Sequence, residues 1–344
     1  MSERDYSSYS AQFDAIQPEI DEALNRHLSK PGRTTISLDP YSLVPLENYE
    51  ALRTEYQEHV ARWANSGIDI KPIIKATLQV DTATEENLPW YTSTIEAGFP
   101  SWHGWNSRWT AEEKSHGEIM VRDIESRGIM DMSTEWLPIR EQNMAAGIHQ
   151  KIDSPADGIA YVATQELLTK VAHFQSARLM DISGARTLRA IGSDEGRHYQ
   201  FYASALKALA RVNPDMALMG MRRQHEGDSF AMPGQKGIPG YAELARTIAL
   251  SGVFDALTVL EAQKQTIDEA GLLEVKPLTD PGKEAQEWAN AISSREDSSW
   301  ARKQRLMELL RERASRPNGS EILRPFILGH SVEFKGNSFI AIDG

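Results

Sequence analysis

Along most of the chain, apolar residues return every three or four positions, and each such run opens near a Ser, Thr or Asp. That period predicts helices near 46–66, 69–97, 103–128, 133–150, 155–180, 184–211 and 213–224. A short amphipathic stretch, YSAQFDAIQPEIDEALNRHL, predicts one helix before them, followed by the Pro-punctuated loop SKPGRTTISLDPYSLVP. The Gly and Pro content of GDSFAMPGQKGIPG (227–240) reads as a loop. A helix is then expected near 240–270 and a charged one from 281 to 316. No strand interrupts this body, which is expected to be all-α. The tail differs: HSVEFKGNSFIAI alternates apolar and polar residues around Gly336–Asn337. It predicts a short β-hairpin with Val332, Phe334, Phe339 and Ala341 on one face. The expected organisation is an N-terminal helix and extended loop (1–45), a helical domain (46–316) and a tail (317–344).

The apolar stripes carry polar interruptions. On the stripe Ile191, Tyr202, Ala205, Leu209, the inward positions 195 and 198 are Glu195 and His198. A spacing of i, i+3 sends both side chains from one helix face. The chain has nine histidines, so one Glu-x-x-His alone is a weak signal. A second lies on the stripe Trp109, Glu113, His116, Met120. Two more helices place a single carboxylate inside: Glu166 among Ile159, Val162, Thr169 and His173, and Glu85 among Ile74, Leu78 and Leu88. Burying these groups unpartnered is costly; a shared cation would offset the cost for all four helices. Two Glu-x-x-His helices and two single-Glu helices are the ligand set of ferritin-like di-iron carboxylate bundles. Oxygen donors with one imidazole per ion suit iron or manganese rather than structural zinc.

Composition narrows the chemistry further. The 344 residues are 40% hydrophobic and 25% charged, an ordinary globular mixture. There is no cysteine, which removes disulfides, thiolate nucleophiles and Cys-ligated metals. The net charge of −12 argues against a general nucleic-acid binder. MSERDYSSYS lacks the apolar region of a signal peptide, and no run reaches the length of a membrane span. A cytoplasmic protein without membrane insertion is therefore expected.

Four phrases resemble the soluble acyl-[acyl-carrier-protein] desaturases: TEENLPWY (84–91), SWHGWNSRWTAEEKSHG (101–117), TQELLTKVAHFQSAR (164–178) and SDEGRHYQFY (193–202). The resemblance spans about residues 70–215 and continues more weakly through SFAMPG, where SFAMPGQKGIPGY looks most like the actinobacterial branch. It implies a ferritin-like four-helix bundle extended by further helices, with two non-haem irons bridged by oxo and carboxylate groups. Glu85, Glu113 and His116 would serve one half of the centre, and Glu166, Glu195 and His198 the other, with Glu113 and Glu166 shared. Thr169 matches the threonine beside the oxygen-binding face. A helix threonine bonding to its own backbone is the alternative. Asp194, Arg197 and Trp109 match positions that support the ligands, although Asp194 and Arg197 also fit an exposed ion pair. Gly158, Tyr161 and Tyr202 match acyl-channel positions, or are ordinary core residues. His173 matches a histidine that is not a ligand; His103, His149, His225 and His330 have no partner pattern and read as structural or exposed.

The implied reaction is O2-dependent desaturation of an acyl chain held as a thioester on acyl-carrier protein, with two electrons from a ferredoxin-type donor. A homodimer is expected from the family alone. The alternatives are a di-iron oxygenase acting on a carrier-bound or free substrate, an iron-storing protein, and a bundle without metal. TTISLDPYSLVP lacks the Trp that many relatives carry there, and Lys114–Ser115 replaces a common Asn-Arg. The helix at 298–316, with Arg302, Lys303 and Arg305, is a candidate carrier-docking patch, or a solvated surface.

Overall fold

The computed structural model describes residues 38–90, 92, 103–147, 150–227, 230, 232 and 237–314, with scattered positions between 17 and 29 and the backbone of 330–335 and 338–343. Most of the predicted N-terminal helix lies outside these residues, as do 93–97 and His149. The described helices are α1 (Pro40–Leu43), α2 (Tyr49–Asn65), α3 (Lys71–Glu85), α4 (His103–Arg127), α5 (Leu137–Ala146), α6 (Pro155–Ser176), α7 (Ile182–Val212), α8 (Pro214–His225), α9 (Tyr241–Ser251), α10 (Ala256–Glu269), α11 (Asp280–Ser293) and α12 (Ser298–Ala314). In the tail, β1 (His330–Lys335) pairs antiparallel with β2 (Ser338–Asp343). Val332 lies opposite Ala341, and Phe334 opposite Phe339, the register the alternation predicts.

Helices α3, α4, α7 and α6 pack in a ring, each against the next, and form the bundle. Helix α2 covers α4, α8 covers α6 and α7, α9 lies on α3, and α10 joins α6 to α11 and α12. Local chemistry sets the bundle's ends. Ser154 caps α6 by accepting from Asp157 N at 3.2 Å, with Pro155 at the first turn. Asp181 caps α7 through Gly184 N (3.0 Å) and also accepts from the buried Arg127 (2.6 Å), tying α7 to the end of α4.

Three predicted helices are interrupted. The run 69–97 is interrupted after Glu85 by a turn at Glu86 and Asn87, and helical backbone resumes at 88–90 with Pro89 in its first turn. The run 240–270 breaks at Gly252, whose φ of 73° ends α9, and a capping box of Asp255 with Thr258 restarts the chain as α10. The run 281–316 breaks at Arg295 (φ 64°), after which Asp297 accepts from Ser299 N at 2.8 Å near the start of α12.

The bundle's apolar core is divided. One cluster gathers Trp105, Trp109, Tyr161 and Tyr202 with the facing parts of α8, α10 and α11. A second gathers Ile73, Ile74, Ile119 and Ile191 with α2 and α9. Between these two on the four bundle helices sit Glu85, Glu113, His116, Glu166, Glu195 and His198, all buried. A third, smaller cluster joins Leu167, Leu168, Tyr199 and Ala203 of α6 and α7 to Ala262 of α10.

Candidate metal centre

Helices α3, α4, α6 and α7 bring these six side chains into two overlapping groups. Glu85, Glu113, His116 and Glu195 offer ligand atoms within 4.8 Å of one another, and so do Glu113, Glu166, Glu195 and His198. The resemblance implied Glu113 and Glu166 as the shared pair. The geometry instead puts Glu113 and Glu195 in both groups and Glu166 in one. The reason is helical phase: Glu113 and Glu195 each precede their own histidine by three residues, so each carboxylate lies between the two imidazoles.

The donor atoms converge on common points rather than on one another. His116 Nδ1 lies 2.8 Å from Glu195 Oε1, and His198 Nδ1 2.9 Å from Glu113 Oε1. Yet Glu85 Oε2, Glu113 Oε1, His116 Nδ1 and Glu195 Oε1 make no aligned hydrogen bond although buried. Four buried carboxylates against two imidazoles leave an excess of negative charge that cations would balance. The residues present therefore fit a pair of hard metal ions.

Protonation tells the same story. Burial, with the charge of Glu195 next, pushes Glu113 up to about 8. Burial and the charges of Glu195 and Glu113 push Glu166 well above the carboxylate range. Burial opposes the His116 cation, but Glu195 and Asp194 outweigh it and raise that imidazole; Glu112, Glu113 and Glu166 do so for His198. Protons thus occupy a cluster from which a metal would displace them.

The outer nitrogens of both histidines face carboxylates from the opposite helix. His116 Nε2 lies 3.5 Å from Asp194 Oδ2, and His198 Nε2 lies 2.9 Å from Glu112 Oε2. Such partners fix ring orientation and tautomer. Arg197 reaches Asp194 at 2.5 Å and Glu112 at 3.7 Å, while Arg108 holds Glu112 at 2.9 Å. Glu112 and Arg108 escaped the sequence reading. The signal was present: an acidic residue precedes the glutamate of both motifs, in EEKSH and DEGRH. Trp109 Nε1 donates to Glu166 Oε1 at 3.1 Å. His173, set aside as a non-ligand, is buried with Nε2 3.0 Å from Glu85 Oε1.

Thr169 bonds to its own helix and also reaches a carboxylate of the candidate centre. Its hydroxyl lies 3.1 Å from Glu195 Oε2 and 3.1 Å from the backbone oxygen of Glu166. It also lines a cavity of about 470 Å³ running from the exposed Leu306 on α12 to the buried Glu85 and His173. The walls are largely apolar, from Leu168, Ala245, Ile248, Phe254, Val259 and Leu310. Gly158, Tyr161 and Tyr202 do not line it. Tyr161 is buried against Phe230, which does, with ring centres 5.3 Å apart. Tyr202 packs edge-on against Trp105 and Trp109.

Gly196, between Glu195 and His198 on α7, faces α6: a Cβ there would meet the stem of Lys170 at 3.4 Å. His225 is buried rather than exposed. It lies 3.2 Å from Thr164 Oγ1, and burial pulls it down to about 3.

Known proteins place this arrangement. The profile of the family described as fatty acid desaturase matches residues 11–317. DesA1 of Mycobacterium tuberculosis, which carries the name of an acyl-[acyl-carrier-protein] desaturase, is 29% identical over 259 residues, covering 70% of this chain and 71% of DesA1. The chloroplastic palmitoyl-[acyl-carrier-protein] 4-desaturase of Coriandrum sativum is 25% identical over 309 residues, 82% of this chain and 79% of that enzyme. The X-ray structure of DesA2 from Mycobacterium tuberculosis H37Rv superposes with a TM-score of 0.52 at 17% identity, covering 80% of this chain and 99% of that one, and shows the shared fold. With the match running through all four bundle helices and both Glu-x-x-His motifs, the chain belongs to the fatty acid desaturase family of oxidoreductases.

Proposed function

We propose that the protein introduces a double bond into an acyl chain carried as a thioester on acyl-carrier protein, using O2, two external electrons and a pair of irons. The observation that carries this reading is the juxtaposition of two overlapping Glu/His groups with the inner end of an apolar cavity at Thr169. Glu85, Glu113, His116 and Glu195 would hold one iron, and Glu113, Glu166, Glu195 and His198 the other. The irons would supply the activation of O2 that removes two hydrogens from adjacent methylenes. The protein's own part is binding and placement. The cavity walls strip water from the chain and hold one pair of methylenes against Glu85 and Thr169. Glu112 and Asp194 fix the two imidazoles through their Nε2 atoms. The Thr169 hydroxyl donates toward Glu195 Oε2 and orients that shared carboxylate.

The test is a product assay. Reduced, iron-loaded protein is given O2 and a panel of acyl-carrier-protein thioesters, and products are weighed by mass spectrometry. Loss of two hydrogens is expected. Gain of one oxygen would overturn desaturation in favour of oxygen insertion, and metal analysis near zero after iron reconstitution would remove the iron assignment.

A further inference from the structure

The wall of the apolar cavity is not apolar throughout. It also carries the carboxyl groups of Asp81, Glu85 and Asp255, the imidazole of His173 and the guanidinium of Arg246. All but Asp81 have their polar atoms committed elsewhere. Asp255 caps α10, accepting from Leu257 N at 2.8 Å and from Thr258 N at 3.0 Å. Arg246 reaches Glu243 at 3.4 Å. Glu85 belongs to the candidate centre and meets His173 Nε2 through Oε1 at 3.0 Å. Asp81 accepts from the Ser176 hydroxyl through Oδ2 at 2.8 Å, and no other bond to that carboxyl is made among the described residues.

Helix geometry fixes where this carboxyl stands. Asp81 precedes Glu85 by about one turn of α3, and Ser176 follows His173 by three residues at the end of α6. The pair therefore lies on the same seam as the candidate centre, roughly 6 Å along the axis from it, a span of a few methylenes. Asp81 is half-buried, and burial pushes its carboxyl up to about 6 although His173 and Ser176 oppose the rise. An unsubstituted chain drawn across this wall would strip the remaining water from the carboxyl and return no hydrogen bond, which is costly. An ionised carboxyl has about four accepting positions, and Ser176 uses one of them. A hydroxyl on the chain would donate to another. A carboxyl that keeps its proton would serve equally, donating to the hydroxyl oxygen instead.

We propose that Asp81, braced by Ser176, is a hydrogen-bonding subsite for a hydroxyl carried on the acyl chain a few methylenes from the reacting pair, so that hydroxyacyl thioesters are preferred over unsubstituted ones. This rests on the acyl-chain reading of the cavity given above and names the chemistry of the chain. An ammonium would also pair with Asp81. The largely apolar walls of Val80, Leu168, Ala172 and Ile248 would leave such a full charge without water, a cost that a neutral hydroxyl avoids.

The test uses the full, iron-free chain, so that binding is judged independently of the iron assignment. The probes are saturated acyl-carrier-protein thioesters of one chain length, unsubstituted or with a single hydroxyl walked along the chain. Binding is read by fluorescence anisotropy of labelled carrier protein. One hydroxyl position should bind about tenfold tighter than the unsubstituted chain, the weight of a hydrogen bond to a charged group. Asp81→Leu should erase that preference and bind the unsubstituted chain more tightly than the parent does. Asp81→Asn, whose amide oxygen still accepts, should keep part of it. Parent protein that ignores the hydroxyl at every position overturns the proposal, and this arm needs no variant to fold. A preference that survives Asp81→Leu overturns it too, as does an amine at the same position binding tighter than the hydroxyl. Desaturation is judged apart, by product mass on the iron-loaded protein. Loss of two hydrogens from unsubstituted chains without any hydroxyl preference leaves that reading standing and removes the subsite. A hydroxyl preference without product keeps the subsite and removes that reading.

Discussion

At the scale of single residues, the centre depends on side chains that never point into it. Glu112 holds His198 by its Nε2 and is itself held by Arg108. Its carboxyl is kept down at about 2, since the contacts with His198 and Arg108 outweigh burial. Glu112→Ala should weaken iron binding about 10–100-fold, as loss of a ligand-orienting partner does. Competition against a chelator reads this directly; unchanged affinity would mean that His198 is oriented by packing alone. His225 is a different case, a buried imidazole held neutral by burial against Thr164. Its folded value of about 3 lies below the unfolded value, so its stabilising contribution is present above about 6.5 and fades as the pH falls toward 3. His225→Gln should flatten the decline of stability between pH 6.5 and 3 in urea titrations. An unchanged slope would show that His225 is not part of acid unfolding.

At the scale of elements, α7 shows what a sequence discloses and what it withholds. Its apolar stripe and the polar pair on it were legible because both follow the helix period. So were the positions, though not the partners, of Asp194 and Arg197. The cross-helix exchange, in which Glu112 of α4 supports the histidine of α7, was hidden because no local spacing encodes which helices lie side by side. Which carboxylates are shared was hidden for the same reason. Helix breaks at Gly252 and Arg295 were missed because amphipathic periodicity resumes in phase beyond them. Gly196, puzzling as a helix-weakening residue between two ligand positions, makes a useful pair with Gly192. A methyl at Gly196 meets Lys170 at ordinary contact distance, 3.4 Å, whereas one at Gly192 meets the ring of Phe174 at 3.1 Å and the Cβ of His173 at 3.2 Å. Gly196→Ala should therefore stabilise by up to about 1 kcal/mol from helix propensity, and Gly192→Ala should destabilise by crowding α6. Thermal melts of the two variants should move in opposite directions; a shared direction would show that propensity or packing alone rules α7.

At the scale of the whole molecule, the divided core leaves a layer of buried charge in the middle of the bundle, flanked by a small apolar cluster of Leu167, Leu168, Tyr199, Ala203 and Ala262. Without iron that middle layer carries protons: Glu166 is pushed up by burial and by the charges of Glu195 and Glu113. A carboxyl raised in the folded state contributes stability at low pH that is lost as the pH climbs through its folded value. Glu166→Gln removes that loss. Its side-chain carbonyl can still accept the Trp109 N–H that now reaches Oε1 at 3.1 Å. The iron-free variant should thus melt at or above the iron-free parent, and the margin should widen as the pH rises. Iron held as proposed would reverse the sign. A ligand that binds only the folded state adds about 4 kcal/mol when free metal exceeds its dissociation constant a thousandfold, and a variant missing one ligand gains less of it. The iron-loaded Glu166→Gln protein should therefore melt below the iron-loaded parent. Opposite shifts in the two states would mark Glu166 as kept at a cost to the empty fold, while a fall in both would make it a structural residue of the core.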